Sequence, residues 1–226
     1  MNVSPADWQA LWVSVRLALI STAVLLVVCT PLAWWLARRQ RPGQALLESV
    51  LALPLVLPPT VLGFYLLLWL GPGGPGGLLA GLWGDHSLAF TFTGLVIGSV
   101  IYSLPFVLQP LKNAFAAIDH DTLDMAATLG AAPWDRFRNV VIPLARPGYL
   151  SAAVLGFAHT LGEFGVVLMI GGSLAGETRV ASVALYEHVE VGDYARAHHL
   201  ALVLVVLSVA MLWALFRWQR RPGALP

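Results

Sequence analysis

An all-α integral membrane protein with five spans is the fold class this sequence predicts. Three observations carry the prediction. Of 226 residues, 58% are hydrophobic and only 11% are charged, against about 25% charged in a soluble domain, and the mean hydropathy is +0.76. Five stretches are apolar over the roughly 20 helical residues needed to cross a hydrocarbon core of about 30 Å. The basic residues gather at alternate ends of those stretches. A chain so apolar is not disordered. With a net charge of +1 and no basic stripe, it is no nucleic-acid binder. The lone Cys29 lies in an apolar run, which leaves no disulfide framework and no cysteine-based metal site.

The spans fall at 10–37, 45–70, 88–111, 149–170 and 198–216. The first is too long to stand upright and is expected to tilt or to begin in the interface. It has no basic n-region and is followed by Arg38 and Arg39, so it reads as a span and not as a signal peptide. Arg38, Arg39 and Arg41 follow the first span; Lys112, Arg136, Arg138 and Arg146 follow the third; Arg217, Arg220 and Arg221 follow the fifth. Ten of the thirteen basic residues thus share one side, with Arg16, Arg179 and Arg196 on the other. The positive-inside rule therefore sets the N-terminus outside and the C-terminus in the cytoplasm, as an odd number of spans requires. Between the second and third spans, the cluster 71–77 of Gly and Pro reads as an external turn that sustains no helix.

The cytoplasmic segment 112–148 is too polar to cross and too patterned to be a linker. Leu123, Ala126, Ala127 and Gly130 recur at helical spacing behind Asp119, Asp121 and Asp124, acidic residues that suit a helix N-terminus. Ala131, Ala132 and Pro133 interrupt the helix, and Trp134 to Phe137 open a second amphipathic stretch. Small side chains at Ala126, Ala127 and Gly130 would let a partner approach closely. On periodicity alone, a segment lying on the membrane surface fits equally well.

Here the chain resembles a known family. Asp124-Met125-Ala126, then Gly130, then Val140-x-Ile142-Pro143 is similar to the cytoplasmic motif of binding-protein-dependent ABC importer permeases: Glu-Ala-Ala, three residues, Gly, nine residues, Ile-x-Leu-Pro. The spacings are intact; Asp, Met, Val and Ile stand for Glu, Ala, Ile and Leu. Thr30 to Ala33, Leu53 to Gly63, Gly162-Glu163-Phe164-Gly165, Tyr186 and Val191-Gly192-Asp193 extend the likeness over nearly the whole chain. Together they look most like the membrane subunits of molybdate importers, with sulfate importers next. The resemblance implies one transmembrane domain over 1–226, of the type I ABC importer permease kind. It implies partners: a second copy of the chain, two ATPase subunits holding ATP and Mg, an external solute-binding protein, and molybdate in transit through a bacterial inner membrane. Sulfate, tungstate or another oxyanion is the alternative cargo. Docking on the ATPase falls to Asp124, Met125, Ala126, Ala127, Leu129, Gly130, Ala131, Pro133, Trp134, Arg136 and Phe137. No cofactor is expected on this chain: Lys112 is its one lysine, and no phosphate-binding Gly-rich loop surrounds it.

Ionisable groups inside a span cost about 2.5–3.5 kcal/mol each on insertion scales, so each asks for a reason. Glu163 lies deep in the fourth span with His159 four residues before it, and Gly162 and Gly165 keep the chain slim around Phe164. The group either lines a path near a gate or ties neighbouring helices together. Repulsion between like charges argues against Glu163 as a ligand for an anion. Pro54, Pro58 and Pro59 kink the second span, toward a pore or merely for packing. Arg16 is expected to snorkel, and Glu48 to meet a basic loop residue. The external loop 171–197 suggests a short amphipathic or re-entrant helix. His188, His198 and His199 lack a third ligand at metal-site spacing. Enzyme readings fail for want of Gly-x-Ser-x-Gly and His-Glu-x-x-His, and a secondary carrier for want of an inverted repeat.

Overall fold

The computed structural model describes residues 4–39, 42–82 and 86–219, and among them every regular element is helical. Arg41, Arg220 and Arg221 lie outside the described residues. Helix α1 (Pro5–Arg38) runs 34 residues. Ser4 caps it: its Oγ accepts from the Asp7 N–H (3.2 Å) and donates to the Asp7 carboxylate (2.7 Å), satisfying one of the donors that a helix start leaves over. Pro5 opens the first turn, where its missing N–H costs nothing.

The second span is two helices. α2 (Gln44–Ala52) passes through a 3₁₀ turn (Leu53–Leu55) and stops; α3 (Pro59–Leu70) leaves at 104°. The cause is local. A residue before proline is driven out of the helical region, and Pro58, which precedes Pro59, is extended at ψ 134°. Contrary to expectation, the Gly/Pro cluster does carry a helix, α4 (Pro75–Gly81), because Pro75 starts it. Its glycines answer crowding: a Cβ on Gly76 would stand 2.6 Å from Leu70 Cα, and one on Gly77 2.5 Å from the Pro72 carbonyl oxygen.

α5 (Phe92–Ala116) is capped by Thr91, whose Oγ1 accepts from the Gly94 N–H (3.0 Å), and runs five residues beyond the expected span. The polar segment then forms α6 (His120–Thr128) and α7 (Pro133–Arg136). A π turn (Phe137–Val141) and α8 (Ile142–Leu144) follow, then α9 (Arg146–Leu161), bent 68° from the α7–α8 stretch. The π turn precedes Pro143, where a regular ladder would lack a donor. The fourth span, expected to be continuous, ends at Leu161 and resumes as α10 (Gly165–Gly171). α11 (Ala181–Glu190) supplies the helix expected in the loop 171–197, and α12 (Tyr194–Gln219) is longer than the predicted fifth span. Among the described residues three helices are long and apolar enough to cross a membrane, and up to five spans result if each bent pair is one.

α1, α5 and α9 pack mutually, and α10 wedges between α3 and α5. One apolar cluster, around Cys29, Val107, Leu111, Phe115 and Val141, fills the end near Arg38; another, around Leu17, Leu70, Leu95, Val166 and Ile170, fills the opposite end. Close approach depends on small residues: a Cβ on Gly156 would meet Val107 Cγ2 at 2.5 Å. Glu48 pairs with Lys112 (2.7 Å), the first residue of the basic segment 112–148, which the structure places in the last turns of α5. Arg16 lies over the Phe92 ring at 4.3 Å from its centroid.

α11 is tied to the head of α1. Asp7 and His188, both buried, meet at 2.8 Å, and the Ala181 N–H donates to Ser14 Oγ (2.7 Å). Replacing Asp7 by Ala strands the buried imidazole and is expected to cost about 1–3 kcal/mol. For a chain of this size that is a drop of several degrees in thermal midpoint, read on the detergent-solubilised protein.

Candidate functional sites

Two regions concentrate the residues singled out in the sequence. The first is where both broken spans break. Pro59 Cβ lies so near Gly165 that a Cβ there would stand 2.8 Å away, so the start of α3 touches the start of α10. Between them opens a pocket of about 570 Å³ lined by Pro59, Thr60, Tyr102, Ala158, His159, Gly162, Glu163, Phe164 and Gly165. The pocket thus gathers Pro59 with the five residues singled out in the fourth span, His159, Gly162, Glu163, Phe164 and Gly165. Pro54 and Pro58 shape the bend but are not part of the lining.

His159 and Glu163 do not pair with each other, because α9 ends between them. Each turns to a different hydroxyl of α5. Ser99 Oγ donates to Glu163 Oε2 (2.8 Å), and Ser103 Oγ stands 2.9 Å from both His159 Nδ1 and Thr160 Oγ1. Glu163 is 4% exposed, and its Oε1 has no hydrogen-bond partner among the described residues. Its carbonyl accepts from Ser182 Oγ (2.5 Å), which fastens α11 to the break. The His159 ring stacks on Phe106, centroids 3.7 Å apart, and leans toward Tyr102. Sequence reading missed Thr60, Ser99, Tyr102 and Ser103. For the α5 residues a signal existed, since Ser99, Tyr102 and Ser103 recur at three- and four-residue spacing along one helix face. Tyr186, beyond the spans on α11, donates to Glu190 (3.1 Å), and that bond raises its phenol above the ordinary range.

The second region is the loop built by α6 and α7. Gly130 ends α6 with φ +86°; its N–H donates to the Ala127 carbonyl (2.9 Å), and the Ala131 N–H to the Ala126 carbonyl (3.1 Å). This pair of bonds is the Schellman closure of a helix, which needs a residue that tolerates the left-handed region. Behind the loop, Phe137 packs edge-on to Trp34 of α1 (5.6 Å). On its outer side Met125, Leu129 and Trp134 are largely exposed, Asp124, Ala127, Gly130 and Pro133 are exposed, and Ala126 and Ala131 are half-buried. Arg136 and Phe137 are half-buried beside a cavity of about 590 Å³ reaching to Pro31 and Trp34. Large apolar side chains displayed around a tight turn are what a protein partner covers.

At the first region a test separates packing from tolerance. Gly165→Val drives the two breaks apart and is expected to destabilise by about 1–3 kcal/mol. Gly162→Ala, whose Cβ would meet nothing nearer than 3.6 Å, is expected to leave the melting curve of the solubilised protein in place.

Comparison with known proteins gives these features a family. The chain is 54% identical to the molybdenum transport system permease protein ModB of Azotobacter vinelandii, over the full length of both. It is 34% identical to ModB of Escherichia coli K12 over 94% of this chain and 93% of that one. The sulfate transport system permease protein CysW of the same organism is 32% identical over 97% of this chain and 78% of its own. A bacterial ABC transporter that imports alginate shares the fold at a TM-score of 0.77 and 16% identity, covering 97% and 81% of the two chains. The MetNI methionine ABC transporter, in an inward-facing form, does so at 0.71 and 18%, covering 97% and 98%. A family model described as a binding-protein-dependent transport system inner membrane component matches residues 29–222. By that match and by the identity along its whole length, the chain belongs to the inner membrane components of binding-protein-dependent transport systems, which makes it a permease subunit and not an enzyme.

Proposed function

We propose that the chain is the permease of an ATP-driven molybdate importer, working as a homodimer with two ATPase subunits and an external solute-binding protein. The observation that carries the cargo is the 54% identity to a molybdenum transport permease along the whole of both chains; sulfate permeases are similar at a greater distance. The chain spans the bacterial inner membrane several times as one domain over 1–226, with its N-terminus outside and its basic loops in the cytoplasm. The loop of α6 and α7, from Asp124 to Phe137, docks on the ATPase through its exposed side chains. ATP and Mg stay on that partner, whose closure moves the docked loops. The pocket at the two breaks, from Pro59 to Glu163, belongs to the path and its gate, with Pro54 and Pro58 setting the bend.

Uptake of labelled molybdate by the native cell, with and without this chain and with excess sulfate, tests the cargo. The expected result is loss of uptake on deletion and no competition by sulfate. Uptake that persists while sulfate entry fails moves the chain to the sulfate branch. Docking has its own test at Gly130. A Cβ there meets nothing within 4 Å in this chain, and Asp and Asn tolerate the left-handed region. Gly130→Asp is expected to abolish uptake by setting a charge in the ATPase groove, and Gly130→Asn to retain most of it. Full uptake by the Asp variant with normal ATPase association refutes the docking role.

A further inference from the structure

We infer that the pocket at the two breaks is a transit station for a tetrahedral oxyanion of the molybdate and tungstate type, held by Thr60, Tyr102 and His159 and met by the free oxygen of Glu163. The inference deepens the proposed function and rests on it.

The donors come first. Thr160 has Ser103 as its hydrogen-bond partner among the described residues, and Ser103 has Thr160 and His159. Every hydroxyl proton finds an acceptor only if Thr160 donates to Ser103 and Ser103 donates to Nδ1. That order makes Nδ1 the acceptor and puts the ring proton on Nε2, since a neutral imidazole has one of each. No described group accepts from Nε2, and His159 lines the pocket. Stacking on Phe106 fixes the ring, so the donor is held ready before a ligand arrives.

α3 adds a second source. Pro59 has no N–H, and Val61 and Leu62 both donate to the Pro58 carbonyl (3.0 and 3.2 Å). The Thr60 N–H is then the first-turn donor left without a backbone acceptor, beside its own hydroxyl, at the positive end of a 12-residue helix. Half-helices whose N-termini open inside a membrane suit anionic groups for this reason. Tyr102 brings a phenolic O–H to the same wall.

Glu163 points independently to a guest. Its Oε1 is buried and without a hydrogen-bond partner among the described residues, although its other oxygen is bonded to Ser99. A buried polar atom without a partner costs about 1–3 kcal/mol, which a ligand oxygen reaching it would offset. Two oxyanion oxygens can share a hydrogen bond only across a proton, so one proton accompanies the anion at this wall. The carboxyl that repels a bare anion thus admits one that arrives with its proton. A cavity of about 570 Å³ holds an anion of four oxygens together with waters of about 30 Å³ each. Such a site holds loosely, as a path must if its cargo is to leave.

The test uses the whole transporter, permease dimer with its ATPase subunits, in lipid nanodiscs without the solute-binding protein. Binding of radiolabelled molybdate is measured nucleotide-free and with a non-hydrolysable ATP analogue. Parallel proteoliposomes with the solute-binding protein report uptake. Saturable binding is expected in at least one nucleotide state. His159→Phe, which keeps the stack and removes the donor, should weaken it about tenfold or more, the effect of one hydrogen bond to a charged group. Tyr102→Phe should do the same; it removes a single oxygen and keeps the proposal falsifiable should the histidine variant fail to assemble. Glu163→Gln brings its own N–H and should bind at least as tightly. Wild-type uptake with no saturable binding, or with binding that neither Phe variant changes, overturns the station and leaves the importer standing. No molybdate uptake by the wild type overturns the importer and the station together.

Discussion

Inside a membrane no water is available to satisfy a backbone N–H or carbonyl, and that constraint governs this structure more than any single contact. Interrupted helices are affordable only where something else takes up the freed groups. At the first break the Val56 and Leu57 N–H groups return to the Leu53 carbonyl (both 3.0 Å), and at the second Gly162 and Glu163 close on Ala158 and Thr160 (3.2 and 3.3 Å). The Glu163 carbonyl, freed by the end of α9, is taken by Ser182 from α11. The two breaks also lie against each other, so each shields the other from lipid. The pocket is a consequence: helices that both stop at one level leave a space where their axes part.

Much of this architecture is legible in the sequence. The hydropathy locates all five apolar stretches because transfer free energy accumulates over about 20 residues and tolerates error in any one. The first break is legible as well, since Pro58-Pro59 acts locally through sterics. The second is not. Gly162, Glu163 and Phe164 are compatible with a helix taken one at a time, and what stops α9 there is tertiary: Ser99 holding the Glu163 carboxylate and Ser182 holding its carbonyl, 64 and 19 residues away in the chain. The same reason hides Tyr102 and Ser103, whose meaning depends on which face of α5 meets α9.

Glycine misleads in both directions. The run 71–77 looks like pure turn, yet its glycines are needed where α4 folds back on Leu70 and Pro72 with no room for a Cβ. Gly130 looks like a small residue kept for a partner's approach, and its first duty is internal: it takes, without steric cost, the left-handed turn that closes α6 and sends the chain into α7. The two roles are not rivals. A Schellman closure exposes the last carbonyl turn of a short helix and displays Leu129 beside it, so the geometry that ends the helix also makes the surface.

The two candidate regions are linked by one stretch of chain. The proposed docking face ends in α7, which passes through the π turn into α8 and, across the 68° bend at Ala145, into α9, and α9 ends at the pocket. At a rise of about 1.5 Å per residue the 16 residues of α9 carry a displacement roughly 24 Å. Phe137, near the root of this lever, is seated on Trp34 and Phe115, which sets a pivot against α1 and α5. At the far end His159 and Glu163 are each tied to α5 by a single hydroxyl. α9 is thus seated on α5 at both ends, by rings at the root and by the His159–Phe106 stack with the Ser99 and Ser103 hydroxyls at the tip. Movement at the proposed docking face would therefore reach the pocket through α5, the helix that both ends of α9 share.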